Sequence, residues 1–257
     1  VTLSKVFIIA YYTLKEILKS KILLSIFLIG IGLMLITYIA TEFSYGVPQR
    51  IALDFGLGML SISSLAISLF LGVTLLSKEL DSRTVYMVIS RPVPRFAFIL
   101  GKIIGLLGVQ ALNVLFLSLM TLVSVYILGG EVSSVIFWTV GFIFLESMLL
   151  LFVVILMSLI TNNILSTLFS IVLLLLGHAV KDTQSLMFVK RHTFIEVALQ
   201  AYHFTLPAFY KLNLKDFVLY KTTLPLDYLF SSLVYGVTYS AFLLILIILI
   251  FNRKNLD

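Results

Sequence analysis

The sequence predicts an all-α polytopic membrane protein with six transmembrane helices, and three observations carry that prediction. Of its 257 residues, 61% are hydrophobic and only 12% charged, whereas soluble domains sit near 45–50% and about 25%. The apolar residues come in long runs, most of them near the ~20 residues that a helix needs to cross ~30 Å of hydrocarbon. The short basic segments fall between alternate runs and at both ends, which the positive-inside rule assigns to the cytoplasm. The whole chain, 1–257, reads as one transmembrane domain. Its net charge of +6 is accounted for by topology and by contact with anionic lipid headgroups rather than by a nucleic-acid partner, since the basic residues are spread over opposite sides.

Residues 1–21 are spaced as an amphipathic interfacial helix. Phe7, Ile8, Tyr11, Leu14, Ile17 and Leu18 gather on one side, and Lys5, Lys15, Lys19 and Lys21 reach for headgroups. The first apolar run is too long for a signal-peptide core and has no small-residue cleavage site, so it is expected to be retained. It forms the first span, 22–40. Gly46 and Pro48 mark an outer turn, and the second span is 55–76. Its Gly56, Gly58, Ser61, Ser64 and Ser68 predict close helix packing or a weakly polar face. The third span, 96–128, ends at the Gly129-Gly130-Glu131 turn. The fourth, 135–160, has Trp138 near the outer interface. A minimal inner turn, Thr161-Asn162-Asn163, leads to the fifth span, 164–180.

The long segment 181–226 is assigned outside although Lys181, Lys190, Arg191, Lys211, Lys215 and Lys221 outnumber its acids, because the charge rule weighs least on long loops. Its apolar content predicts external helices packed at the outer interface, bounded by Pro207 and Pro225. The sixth span, 229–251, closes on Asn252-Arg253-Lys254, so both termini are expected in the cytoplasm.

The richest stretch lies between the second and third spans, at 77–95. Glu79, Asp81, Arg83, Tyr86, Arg91 and Arg95 crowd into a chain that otherwise spends charge sparingly. If 79–89 is helical, Val85, Tyr86, Val88 and Ile89 form an apolar stripe, with Glu79 and Arg83 one turn apart opposite it. Pro92 then stops that helix, since it disfavours helical geometry at Arg91 and has no N–H to donate. The pattern fits a short cytoplasmic coupling helix and a rigid turn. An ordinary cationic loop that sets topology fits it equally well.

Three polar side chains fall at membrane depth. Gln110 and Asn113 on the third span need partners or a wet cavity. Glu146 on the fourth must be paired, protonated or turned to a hydrated path. It serves either as a path or interface group, or as a protonated acid bonded to a neighbouring helix through Gln110 or Asn113. No second ionisable group is expected at its depth.

Several chemistries are missing. There is no cysteine, hence no thiolate or disulfide chemistry. His178, His192 and His203 have no metal-ligand spacing, and no metal site is expected. No phosphate-cradling Gly-x-x-x-x-Gly-Lys loop occurs, and no protease or esterase signature, so no catalytic site is expected in this chain.

The run from Lys78 to Gly105, with its Arg83-Thr84, Ser90-Arg91-Pro92-Val93-Pro94-Arg95 and Leu100-Gly101-Lys102 elements, resembles the first cytoplasmic loop of ABC-2 type exporter permeases. It is most similar to the branch linked to maturation of multicopper enzymes such as nitrous-oxide reductase. The Leu206-Pro207-Ala208-Phe209 segment and the Phe251-Asn252-Arg253-Lys254-Asn255 ending are also similar to that branch. Arg83 stands where many relatives carry glycine.

The resemblance implies a permease subunit of an ATP-driven exporter in a prokaryotic inner membrane. ATP and Mg would be held by a separate cytoplasmic ATPase dimer that docks on Glu79, Asp81, Arg83 and Tyr86. Arg91, Pro92 and Arg95 would pass its movement to the third span, and Thr161, Asn162 and Asn163 would be a second contact. A second permease copy and a periplasmic accessory protein are further expected partners, and spans two and five would line the path. Two other classes remain open on the residues alone. One is a proton- or ion-coupled secondary transporter, which predicts inverted repeats and paired midplane ionisable groups. The other is a non-transporting membrane anchor or assembly protein, separated from both by a transport measurement.

Overall fold

The computed structural model describes residues 2–19, 22–42, 48–81, 94–131, 133–185, 206–219 and 225–253, and among these every regular element is helical. In order they are α1 (Thr2–Leu18), α2 (Ile22–Glu42), α3 (Pro48–Asp81), α4 (Arg95–Ile127), α5 (Ser134–Ile160), α6 (Asn163–Ser185), a 3-10 turn η1 (Phe209–Leu212), α7 (Lys215–Leu219) and α8 (Leu226–Arg253). Four stretches are long and apolar enough to cross a membrane: Pro48–Val73 in α3, and α4, α5 and α8. Shorter apolar stretches lie at Leu28–Glu42 and Asn163–Ala179. This is a membrane protein built of helices, the form in which a single segment satisfies all its own backbone hydrogen bonds in lipid.

α5 is the centre. It is apolar on all sides, and Leu149 to Ile155 form an unbroken buried run. A helix without a polar face belongs inside, and α3, α4, α6 and α8 all pack on it. The outer helices keep their large side chains outward, such as Leu28, Leu35 and Ile39 on α2 and Phe230, Val237, Phe242 and Ile245 on α8. So much exposed apolar surface is explained by lipid.

Close approaches set the helix directions. Gly56 of α3 backs onto Thr121 of α4, and Ser64 onto Gln110 and Asn113, so α3 and α4 run antiparallel. Gly72 meets Val154 and Ser68 meets Ser147, so α3 and α5 run parallel. Phe98 stacks on Phe251 at 6.3 Å, which sets α8 antiparallel to α4. Directions therefore alternate along α2, α3, α4, α5, α6 and α8. The ends of α3 and α8, the start of α4 and the α5–α6 turn share one end of the bundle.

Local chemistry explains the boundaries. Pro48 occupies the first position of α3, where its missing N–H is not needed. The predicted second span began only at Phe55, but the helix starts at Pro48. α4 stops at Gly129, whose φ of +73° is left-handed and suits glycine. Gly130 N–H donates to Val125 O at 2.9 Å and Gly129 N–H to Tyr126 O at 3.0 Å, the paired bonds of a Schellman stop. Thr161 Oγ1 donates to Met157 O at 2.8 Å, and Asn162 O accepts from Ser166 N–H at 2.8 Å. That turn is tight, with Asn162 and Asn163 exposed.

Two elements differ from expectation. α1 lies lengthwise along α4 and runs parallel to it. A Cβ on Gly101 would meet Ile9 Cβ at 2.7 Å, one on Gly105 would meet Ala10 O at 2.9 Å, and one on Gly108 would meet Leu14 Cδ1 at 2.5 Å. The docked face is thus Val6, Ile9, Ala10 and Thr13, while Phe7, Ile8, Tyr11 and Tyr12 point outward. The predicted stripe divides: Leu14 and Ile17 pack against the core, whereas Phe7, Ile8 and Tyr11 face away from it, because the glycines let α1 approach α4 through Val6, Ile9, Ala10 and Thr13. The second difference is the 206–219 segment. It is sunk into the bundle, with Phe209 and Leu212 at 0% exposure, against α3, α5, α6 and α8. It sits towards the end opposite the close of α3 and the start of α4.

Candidate functional site: a polar seam on the central helix

One group of buried polar side chains forms a seam through α3, α4, α5 and α6. Its first part joins α3 to α4. Gln110 Nε2 donates to Ser64 O at 2.9 Å, Asn113 Nδ2 to Ser64 Oγ at 3.2 Å, and Ser63 Oγ to Asn113 Oδ1 at 3.4 Å. Ser68 Oγ lies 2.9 Å from Ser64 O and 2.8 Å from Ser147 O, carrying the seam across to α5. These groups are all buried, and such groups are stable only when hydrogen-bonded. Gln110 and Asn113 therefore tie α4 to α3, and neither bonds Glu146.

Beside Ser147 stands Glu146, 2% exposed. Its partner is His178 of α6, whose Nε2 lies 3.2 Å from Glu146 Oε1. This is ion-pair distance without a well-directed hydrogen bond, and Oε1 otherwise has no hydrogen-bond partner among the described residues. Gln110 Oε1 is likewise buried and unpartnered there. The seam thus holds two buried oxygens with no directed hydrogen bond among the described residues.

His178 is held from three sides. Its Nδ1 sits 3.1 Å from Leu174 O. Phe209 of η1 stacks on the ring at 6.0 Å and 4°. Gly177 lets that stack form, since a Cβ there would meet Phe209 Cδ2 at 2.5 Å and Pro207 O at 2.6 Å. The 206–219 segment is braced in turn by α8. Ala208 N–H donates to Tyr235 Oη at 2.7 Å, and Lys211 Nζ lies 4.6 Å above the Tyr235 ring, a cation–π contact. Tyr228 Oη donates to Lys211 O at 3.4 Å.

The expectation of no ionisable partner for Glu146 is corrected by His178. In the sequence that histidine sits near the end of its apolar run with no ligand spacing. Only the antiparallel packing of α5 and α6 sets it level with Glu146. Its spacing from Leu174, a helical turn that offers Nδ1 a carbonyl, was the one local signal.

Of the other predicted site residues, Glu79 and Asp81 belong to the last turns of α3, which continues unbroken from the apolar stretch. Arg83, Tyr86, Arg91 and Pro92, and with them the predicted coupling helix and turn, lie outside the described residues. Arg95 opens α4 and its Nη1 donates to Asn252 O at 3.4 Å, near the end of α8. Thr161, Asn162 and Asn163 form the α5–α6 turn at the same end. Among the described residues no group of three or more His, Asp or Glu side chains could hold a metal. The sequence matches no protein-family model and no curated protein sequence.

Proposed function

We propose that this protein is the permease subunit of an ATP-driven exporter of the ABC-2 type, working in a prokaryotic inner membrane with six spans and both termini in the cytoplasm. The observation that carries the reading is the junction at the start of α4. There Arg95 reaches the end of α8, Phe98 stacks on Phe251, and α1 lies in the Gly101–Gly105–Gly108 groove. The 82–93 connection, which carries Arg83 and Arg91, joins α3 to this junction in the sequence. A soluble partner pulling on that connection would move α1, α4 and α8 together, while α3 would carry the movement to the central seam. ATP and Mg would be bound by a cytoplasmic ATPase dimer docking on Glu79, Asp81, Arg83 and Tyr86. The Thr161–Asn163 turn, at the same end, would give it a second foothold. A second permease copy would complete the path, a periplasmic accessory protein would meet the opposite end, and this chain would itself carry no catalytic site.

The test is co-purification with ATPase subunits encoded nearby. A stable complex that a Glu79→Lys, Arg83→Glu double variant abolishes supports the reading. Folded native protein that retains no ATPase in nanodiscs removes it.

The Glu146–His178 pair favours a second reading, a proton-coupled carrier, because such carriers place paired ionisable groups at depth. Flux driven by a pH gradient without any ATPase, and lost in Glu146→Gln, would select it.

A further inference from the structure

We propose that Glu146 and His178 form a proton-binding site whose bound proton clasps α6 and the 206–219 segment to the central helix α5. The inference rests on neither transport mechanism above. It begins with Nδ1 of His178, 3.1 Å from Leu174 O. A carbonyl only accepts, so Nδ1 carries hydrogen, and a neutral ring then turns a lone pair outward at Nε2. Glu146 Oε1, 3.2 Å away, is an acceptor as well. Two lone pairs do not rest at that distance in a buried site, so a proton lies between them. It belongs either to an imidazolium beside a carboxylate or to a carboxylic acid beside a neutral imidazole. Both forms carry no net charge, as burial demands.

Loss of that proton to water or hydroxide leaves a buried carboxylate facing the lone pair. Separation of α5 from α6 relieves it. His178 is also the surface on which Phe209 stacks, so its displacement removes support from under the whole segment. Gln110 Oε1 and the remaining capacity of Glu146 Oε1 mark where water would follow.

The surrounding groups are compatible with this switch. From the segment, Lys215 lies within electrostatic reach of the ring. Lys211 is engaged over Tyr235, and Tyr210 borders Tyr228 and Tyr235. From α8, the Tyr235 and Tyr228 hydroxyls are engaged by Ala208 N–H and Lys211 O. From α3 and α4 the described seam brings only neutral groups, Ser64, Ser68 and Gln110.

The chain has no cysteine, so one introduced thiol reports alone. Ala208→Cys places it in the buried segment and Ser133→Cys on an exposed position. The measurement is the rate of maleimide labelling of each in nanodiscs across pH, taken as the ratio of the first to the second. The ratio should be low at acidic and neutral pH and then rise toward about tenfold per pH unit, the slope for release of one proton. In Glu146→Gln the amide donates permanently to Nε2, and the Ala208→Cys ratio should stay low and flat. A flat ratio in the Glu146 background, or the same slope in Glu146→Gln, overturns the proposal. Should Glu146→Gln fail to fold, the nitrogen-15 histidine spectrum of the unsubstituted protein decides. His178, assigned by its loss in His178→Gln, must show Nε2 protonated or hydrogen-bonded at neutral pH, and a free Nε2 overturns the site.

Discussion

A buried glutamate restricts what can stand beside it, and the consequences at residue scale are measurable. His178→Ala leaves Glu146 without its partner, a change expected to destabilise the fold by about 1–3 kcal/mol. Glu146→Gln keeps a donor toward Nε2 and should be milder. Thermal unfolding of the two variants in the same detergent gives the order, and a milder His178→Ala would contradict the pairing. Asn113→Ala removes the bonds to both Ser63 and Ser64. Because Ser64 has no charge, its loss should be smaller than that of His178→Ala. None of these contacts is legible from residue type alone: Gln110 and Asn113 announce a need for partners without saying which helix supplies them.

At the scale of elements, two dockings depend on glycines that admit no side chain. Gly105→Leu would drive its side chain into Thr13 and the Ala10 carbonyl, so α1 must leave α4. Faster amide exchange across residues 6–14 with the core of α5 unchanged is the expected outcome. On the other side of the molecule, Tyr235→Phe removes the acceptor of Ala208 N–H. A loss of about 0.5–1.5 kcal/mol follows, concentrated in the 206–219 segment and readable by exchange there. The helical period of α1 was visible in the sequence, yet its inward face was not. The stripe marked by hydrophobic size included Leu14 and Ile17, which pack, and Phe7, Ile8 and Tyr11, which do not, since the glycines of α4 decide which face comes close.

The whole molecule is a set of alternating helices around α5, and its two ends can be told apart by labelling. Under the proposed topology, Asn162→Cys should react from the cytoplasmic side and Glu131→Cys from the opposite side in oriented vesicles. Reaction of both from one side would contradict the alternating spans. One end gathers the end of α3, the start of α4, the α5–α6 turn and the end of α8, while the 206–219 segment lies towards the other. A force applied to the first end must therefore pass through α5 or its neighbours to reach the segment, and the Glu146–His178 contact lies on that route.

Composition and the lengths of apolar runs determined that this chain is helical and membrane-embedded, because lipid leaves a spanning segment little choice of backbone. Local chemistry also marked two turns, Gly129-Gly130 after α4 and Thr161–Asn163 after α5, whereas Pro48 was read as part of a turn and proved to open α3. Tertiary structure decided the rest. Which side of α1 faces inward depends on glycines in a helix far along the chain. Whether 206–219 lies on the bundle or within it depends on Gly177 and Tyr235. Glu146 acquired a titratable partner only when α5 and α6 folded back on each other, since a contact between helices is set by packing and register, which no single stretch of sequence contains.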